Sequence, residues 1–287
     1  MTAELENLKK WIGEKETDTD YVTVPSVHRL SATLDRDDAY PTVGDALPVG
    51  WHTILFPRIV RHSGIGPDGH PARGDFLPPV PLPRRMFAGK RSTFISDLRL
   101  GDEVKRISTI KDVVIKQGRT GTMVFVTVNT DIHSPRGLAI SEEQDIVYRQ
   151  DPDKNAPPSL SQSAPQPAPG TAVWKDTVTP TEVMLFRYSA LTFNGHRIHY
   201  DHPYVTQTEG YPGLVMNGGL TTLLVYELAR AHAKSPVKFM SSRNVRPMFA
   251  NRAISVCGEP AADGKSAKLW TQDDTGALTL SATVEFA

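Results

Sequence analysis

The chain has 287 residues, of which 39% are hydrophobic and 22% are charged. This composition permits a buried core in one large or two small domains and argues against a disordered chain. Basic and acidic residues balance at 32 each, which argues against a nucleic-acid partner. The single cysteine, Cys257, excludes an internal disulfide framework, and the charged N-terminus is no signal peptide. With no apolar run of membrane-spanning length, we expect a cytoplasmic protein without a membrane partner.

The first half of the chain predicts short helices and then strands. Apolar residues at helical spacing predict helices over residues 3–14 and Val27–Leu34. Residues 39–83 are rich in proline and glycine and read as loop, except for the apolar island Trp51–Val60, which predicts a strand. Three further strands are predicted from β-branched runs at Val113–Ile115, Thr122–Val128 and Leu138–Arg149, the first two joined by a hairpin turn at Gly118–Gly121.

The second half predicts one long helix among strands. The apolar run Val183–Phe186 predicts a strand. A long amphipathic helix is predicted at about Gly218–Ala233, with an apolar stripe that includes Leu220, Leu224 and Ala231. Strands fill the remainder, and strict alternation predicts the last one over residues 278–286.

A linker rich in proline and serine divides the chain into two similar units. The predicted boundaries are 1–150 for the first unit, 151–170 for the linker and 171–287 for the second unit. Two short matches indicate an internal duplication: Arg29–Ala32 with Arg187–Ala190, and Arg84–Lys90 with Arg246–Arg252. The first unit lacks the histidines and the long helix pattern of the second, so we expect the second to carry the chemistry.

A polar cluster precedes the long helix. It comprises Asn194, His196, His199, Asp201 and His202. Because histidine titrates near neutral pH, one of these rings is a candidate general acid or base, although satisfied structural histidines would give the same pattern. Three imidazoles could also bind zinc. Pro203 disfavours a continuous helix there, and no carboxylate follows at a metal-site spacing, so no metal is predicted.

Two glycine runs are relevant to binding. Asn217–Gly219 opens the long helix, where free N–H groups carry partial positive charge and could polarise a carbonyl oxygen. The alternative is that these glycines only permit the turn. The run Gly64–Gly69 matches the dinucleotide-binding pattern, but Pro67 and Pro71 exclude the helix that the pattern requires.

Basic residues form two groups that could bind phosphates or a carboxylate, or could be solvated strand edges. They are Arg84, Arg85, Lys90 and Arg91 in the first unit and Arg243, Arg246 and Arg252 in the second.

The segment Arg187–Asp201 resembles the hot-dog-fold enoyl-thioester hydratases and dehydratases of the MaoC-like group. The family signature Gly-Asp-x-Asn-Pro-Ile/Leu-His has the same seven-residue frame as Phe193–His199, and the closing Ile-His matches. Asn217-Gly218 is similar to the family's His-Gly at the start of its central helix. The longer segment is most similar to the double-hot-dog subgroup, which includes mitochondrial-type 3-hydroxyacyl-thioester dehydratases and mesaconyl-C4-CoA or itaconyl-CoA hydratases.

The resemblance implies an α+β fold, a double hot-dog of two antiparallel-sheet units enclosing a substrate tunnel. The second unit would wrap a long central helix, and the first would be degenerate. His199 would be the catalytic histidine, Gly218 would hold the thioester oxygen, and Asn194 would replace the family aspartate. Because an amide cannot take a proton, Asp201 and His196 are candidates for the missing proton transfer. The candidate substrate-binding residues are Tyr188, Arg197, Arg84, Arg85, Asn217 and Arg246.

The implied activity is that of a hydro-lyase: reversible hydration of a 2-enoyl-CoA, preferably itaconyl-CoA or mesaconyl-C4-CoA, to citramalyl-CoA. No cofactor is expected beyond the coenzyme A that the substrate carries. A 3-hydroxyacyl dehydratase of fatty-acid metabolism is the nearest alternative. A zinc-dependent hydrolase and a non-catalytic acyl-CoA-binding protein are alternatives from other classes. The expected partner is the acyl-CoA, with a homodimer as an option.

Overall fold

Ten strands form one antiparallel sheet in the computed structural model, which describes residues 5–71, 76–118, 121–150 and 165–287. The strands of the first half are β1 (Lys15–Tyr21), β2 (Arg84–Phe94), β3 (Glu103–Gly118), β4 (Gly121–Ser134) and β5 (Gly137–Arg149). Those of the second half are β6 (Trp174–Val178), β7 (Val237–Asn244), β8 (Ile254–Pro260), β9 (Ser266–Gln272) and β10 (Leu278–Phe286).

The two halves of the sheet are related as a repeat. The strand order is β1-β3-β4-β5-β2-β7-β10-β9-β8-β6, so each half has the same internal order counted outward from the centre. β2 and β7 join the halves by antiparallel pairing from Gly89 with Arg243 to Thr93 with Phe239. The predicted α+β arrangement of two antiparallel-sheet units is therefore confirmed.

The described residues include the α-helices α1 (Val24–Thr33), α2 (Glu182–Leu191) and α3 (Gly218–His232); α1 and α2 contact each other, and α3 packs on the strands of the second half. Short 3₁₀-helices occur at Asn7–Trp11, Trp51–Ile54, His62–Gly64 and Arg197–His199, and one π-helical turn at Tyr204–Thr208. The predicted hairpin strands, the long helix and the last strand are confirmed. Among the described residues, no helix is long and apolar enough to span a membrane.

α1 and α2 are the corresponding helices of the two units. Thr23 and Thr181, each the N-cap, accept a hydrogen bond from a backbone N–H three residues later. The buried positions also correspond: Val27, Leu30 and Ser31 in α1, and Leu185, Tyr188 and Ser189 in α2. The predicted match of Arg29–Ala32 with Arg187–Ala190 is confirmed. The match of Arg84–Lys90 with Arg246–Arg252 is wrong, because the former is in β2 and the latter lies between β7 and β8.

Three predicted elements differ from the structure. Val183–Phe186 belongs to α2 and not to a strand, because its buried residues recur at helical spacing and Thr181 caps the helix. Trp51–Val60 contains a 3₁₀-helix at Trp51–Ile54 in place of a strand. In the described part of the predicted helix over residues 3–14, Leu5 and Glu6 are α-helical and the 3₁₀-helix Asn7–Trp11 follows, so the helical segment tightens and ends earlier than predicted.

α3 is buried between the two units. It packs on the strands of the second half, and Trp51 of the first half donates its indole N–H to Glu227 of α3 at 2.7 Å. Arg36, also from the first half, forms an ion pair with the same carboxylate. The helix is therefore enclosed on almost all sides, although Ala231 of the predicted stripe is exposed.

The first unit covers its sheet differently. Between α1 and β2, the described residues contain no α-helix. Leu5, Leu8, Val80 and Leu82 pack instead on the apolar face of β3, β4 and β5. Most of the predicted linker, residues 151–164, lies outside the described residues, so the predicted unit boundaries stay a prediction.

Candidate active site

The segment that follows α2 is a tight, hydrogen-bonded turn. Phe193 has a left-handed backbone, with φ of 52°. The Asn194 side-chain oxygen accepts the backbone N–H of His196 at 3.0 Å, and the Asn194 N–H donates to the Ser189 carbonyl at 2.8 Å. Asn194 therefore shapes the turn with its amide oxygen, and the 3₁₀-helix Arg197–His199 follows directly.

His199 is buried, and a hydrogen bond to the Val215 carbonyl holds its ring. Its Nδ1–H donates to the Val215 carbonyl at 2.7 Å, and the Val215 N–H donates to the Ile198 carbonyl at 2.9 Å. This bond fixes the neutral tautomer with its lone pair on Nε2. Burial lowers the pKa of His199 to about 4, although the Val215 bond raises it. The ring is therefore an uncharged base at neutral pH.

The same bond joins the imidazole to the start of α3, because Val215 lies two residues before the N-cap Asn217. The Asn217 side chain does not cap the helix: its amide N–H donates to Ser189 Oγ at 3.3 Å, and its buried Oδ1 has no acceptor role within the described residues. Nor do the N–H groups of Gly218 and Gly219 find an acceptor in that part of the chain. Both glycines are exposed, so these donors remain available to a ligand oxygen.

Tyr188 packs directly under this helix start. A Cβ added at Gly219 would lie 2.6 Å from the Tyr188 hydroxyl oxygen, whereas one at Gly218 would meet nothing closer than 3.8 Å. Tyr188 is buried, which raises its pKa to about 12, so the phenol is uncharged. Close packing against Tyr188 thus requires a glycine at position 219.

A loop of the first unit adds two residues that the sequence analysis did not identify as functional. The ring of His70 lies on that of His196, with centroids 3.8 Å apart, and His196 in turn meets His199 edge-on at 5.5 Å. Asp68 accepts hydrogen bonds from the backbone and the ring of His70. Burial and the neighbouring His70 lower the pKa of His196 to about 3, so His196 is neutral.

These residues form one group with the composition of a metal site. The donor atoms of Asp68, His70 and His196 lie within 4.8 Å of one another. The alternative zinc set considered from the sequence was different, because it used His199 and His202. His202 is exposed and lies outside this group.

Asp201 and Arg197 are paired with each other. Arg197 Nη2 lies 2.7 Å from Asp201 Oδ2, and the other Asp201 oxygen accepts the Tyr204 N–H at 3.0 Å. The Tyr204 N–H and the Arg197 guanidinium hold the pKa of Asp201 below its usual range. Arg197 also donates to the Pro67 carbonyl at 2.9 Å. Arg197 and Asp201, both predicted site residues, thus hold the backbone around the 3₁₀-helix Arg197–His199 in place.

The remaining predicted arginines are divided between two places. Arg85 of β2 is close enough to His196 for its charge to lower that pKa, and Arg84 precedes it on an exposed position. Arg246 lines a separate cavity of about 320 Å³ together with Arg252 and Asp273. The structure therefore brings Arg85 to the histidine cluster and Arg246 to a different surface.

A second buried polar cluster lies in the first unit. Glu142 accepts hydrogen bonds from His52 at 3.0 Å, Ser92 at 2.6 Å and Lys90 at 2.9 Å. Burial raises the pKa of this carboxyl, but Lys90 and His52 hold it well below its usual range. The carboxylate is fully occupied by these three partners, which indicates a structural role.

The fold and the site define a protein of the hot-dog thioester hydratase and dehydratase class. The sequence profile described as hydroxyacyl-thioester dehydratase type 2 (Htd2) matches residues 50–250. The chain belongs to this family and is therefore a hydro-lyase, as the resemblance implied.

Two individual relatives have names that agree with this family. The chain is 42% identical over 275 residues to the mesaconyl-C(4)-CoA hydratase of Chloroflexus aurantiacus, covering 96% of each chain. It is 34% identical over 273 residues to the mitochondrial hydroxyacyl-thioester dehydratase type 2 of Schizosaccharomyces pombe, covering 83% of this chain and 88% of the relative.

Solved structures support the fold. A MaoC-like dehydratase from Phytophthora capsici superposes with a TM-score of 0.69 at 11% identity, covering 99% of this chain and 98% of the other. A Mycobacterium tuberculosis protein described as a double hotdog fold superposes with a TM-score of 0.54 at 11% identity, covering 98% and 97%.

Proposed function

We propose that the protein catalyses the reversible hydration of a 2-enoyl-CoA, and that His199 is its general base. The observation that carries this proposal is the hydrogen bond from His199 Nδ1–H to the Val215 carbonyl. It leaves Nε2 unprotonated and ties the ring to the segment that opens α3. A base is thereby combined with unpaired amide donors, the two elements that hydration of a conjugated thioester requires.

The reaction follows from these groups. The N–H groups of Gly218 and Gly219 bind the thioester oxygen and stabilise the negative charge that develops on it. His199 Nε2 removes a proton from water, whose oxygen attacks the β carbon. The α carbon then takes a proton, which completes the 3-hydroxyacyl thioester. Asn194 orients the turn before His199 by accepting the His196 N–H, and it does not transfer protons because its side chain is an amide.

We infer a short dicarboxylic acyl group, mesaconyl-C4-CoA or itaconyl-CoA, as the preferred substrate. The similarity to mesaconyl-C(4)-CoA hydratase supports this choice. A free carboxylate in the acyl group needs a cation, and Arg85 is better suited than Arg197, because Arg197 is paired with Asp201. Dehydration of a fatty 3-hydroxyacyl thioester is the second candidate, supported by the 34% identity to the yeast dehydratase.

The test is a panel of enoyl-CoA thioesters assayed for loss of the conjugated absorbance. His199→Ala should lower kcat by roughly 10²–10⁴-fold, the usual contribution of a positioned proton-transfer group. His202→Ala is the matched control, because His202 is exposed and lies outside the group formed by Asp68, His70 and His196. Near-normal turnover in His199→Ala, with the control also active, would contradict the assignment.

The same assay separates the rival classes. We propose that no cofactor is required, so dialysis against a chelator should leave turnover unchanged, whereas a zinc hydrolase would lose activity. A non-catalytic acyl-CoA-binding protein would bind the thioester without changing its absorbance. A cytoplasmic location and a homodimer remain predictions, which cell fractionation and light scattering on the purified protein would test.

A further inference from the structure

The glycine run Gly64–Gly69, which does not bind a dinucleotide, builds a tight turn in the first unit. Ile65 and Pro71 form an isolated β-bridge, and the Gly66 N–H donates to the His70 carbonyl at 2.7 Å. Gly69 has φ of +86°, a conformation that residues with a Cβ rarely adopt. The turn therefore has a defined shape, and it presents the side chains of Asp68 and His70.

This turn docks on the catalytic segment of the second unit. The Arg197 N–H donates to the Asp68 carbonyl at 2.9 Å, and the Arg197 side chain donates to the Pro67 carbonyl at the same distance. Gly69 and Gly195 face each other so closely that a Cβ at Gly69 would lie 1.9 Å from the Gly195 carbonyl oxygen. The two backbones are in contact, so the position of the turn is fixed relative to His199.

The contact brings an oriented imidazole to the active site. Asp68 holds His70 through its backbone N–H at 3.0 Å and through Nδ1 at 3.2 Å. The ring of His70 lies against that of His196 with centroids 3.8 Å apart and a tilt of 34°, and His196 in turn meets His199 edge-on at 5.5 Å. The side chain of His70 is 36% exposed, so solvent and a small ligand can reach it.

The proposed reaction takes one proton from water and gives one to the α carbon, and besides His199 the described residues of the second unit offer no unoccupied acid–base group beside this site. Asn194 is an amide, and both oxygens of Asp201 are occupied. His196 is neutral and has no hydrogen-bonded carboxylate among the described residues, whereas His70 has one in Asp68. An imidazole paired with a carboxylate can hold a proton and release it.

We propose that His70, oriented by Asp68, is the second acid–base catalyst of this site, contributed by the first unit. The inference rests on the proposed hydratase function. In the hydration direction, water loses a proton to His199 Nε2 while its oxygen forms the bond to the β carbon. The π electrons of the double bond move toward the thioester, and His70 gives a proton to the α carbon. His199 then releases its proton and His70 regains one through solvent, so the enzyme is unchanged.

Three variants of the full-length enzyme test the proposal. His70→Ala removes the ring, and His70→Phe keeps an aromatic ring against His196 but cannot transfer a proton. His62→Ala is the matched control, because His62 is an exposed histidine of the same connection. We expect kcat to fall roughly 10²–10⁴-fold in both His70 variants and to stay near wild type in the control. Thermal melts show whether each variant is folded.

Chemical rescue separates proton transfer from packing. Added imidazole should restore a large part of the lost activity to His70→Ala and none to His70→Phe, whose ring fills the space. The proposal is overturned if either His70 variant keeps more than half of the wild-type kcat, or if imidazole does not restore His70→Ala. Failure of the proposed function would look different, because the wild-type enzyme would then show no turnover on any enoyl-CoA.

Discussion

Gly219 provides a sharp test of how the start of α3 is packed. Replacing it with alanine places a methyl carbon 2.6 Å from the hydroxyl oxygen of Tyr188, a distance that real Cβ contacts do not show. The adjacent Gly218 has open space around it, with the nearest atom at 3.8 Å. Neither glycine has a positive φ, so alanine is compatible with the backbone at both positions.

The expected magnitudes follow from two opposing effects. Crowding a well-packed site costs about 1–3 kcal/mol, whereas replacing glycine by alanine in a permitted conformation stabilises by about 0.4–1 kcal/mol. Gly219→Ala should therefore lower the free energy of unfolding by roughly 1–2 kcal/mol. Gly218→Ala experiences only the favourable effect and should raise it by about 0.4–1 kcal/mol.

Tyr188→Phe supplies the internal control. Without the hydroxyl, the nearest ring carbon is 3.5 Å from the new methyl group, an ordinary contact. In a double-mutant cycle, Gly219→Ala should then cost little in the Tyr188→Phe background, giving a coupling energy of about 1 kcal/mol or more. Urea unfolding of the four proteins measures each value. A Gly219→Ala variant as stable as wild type, or a cycle with no coupling, would refute this account of the packing.

Other predictions address charge and docking. The folded-state pKa of His199, about 4, lies below the ordinary 6.5, so between these values the unfolded chain binds a proton that the folded protein does not. The contribution of this ring to the free energy of unfolding should therefore be fully present above pH 6.5 and fall by on the order of 3 kcal/mol as the pH approaches 4. Urea unfolding across that range should show a smaller loss of stability in His199→Gln. Glu142→Ala should lower the free energy of unfolding by roughly 3–5 kcal/mol, because it leaves buried donors and a cation unpaired; a loss under 1 kcal/mol would contradict the role given to this carboxylate. Gly69→Ala should reduce kcat by separating the turn from Gly195, and an unchanged kcat would show that the docking is dispensable.

The elements that were predicted correctly carry strong local patterns. Alternating β-branched residues and glycine turns identify β3, β4 and β5, and helical spacing after Asn217-Gly218 identifies α3. The failures were short apolar runs. Val183–Phe186 and Trp51–Val60 contain apolar residues without a decisive period, so the sequence pattern did not separate helix from strand. In the structure Thr181 caps the helix that contains the first run, and Trp51 in the second run donates its indole N–H to Glu227.

The predicted site was partly local and partly not. His199 and Asn194 were proposed because they stand at fixed positions in one short segment, the kind of information that a sequence contains directly, and their catalytic roles stay a prediction. Asp201 and Arg197 were named for the same reason, yet the structure pairs them with each other. Closeness in the sequence thus identified the segment that forms the candidate site, but it did not show which side chains in that segment contact each other.

The amino-acid sequence by itself determined the family segment, the repeat of α1 and α2, the long helix and the choice of His199 as the candidate base. Only the tertiary structure decided that His70 and Asp68 lie beside His196, because these residues come from opposite halves of the chain. The physical reason is that the contact depends on the join between β2 and β7 and on two glycines that let distant backbones touch. No periodicity within either segment contains that information.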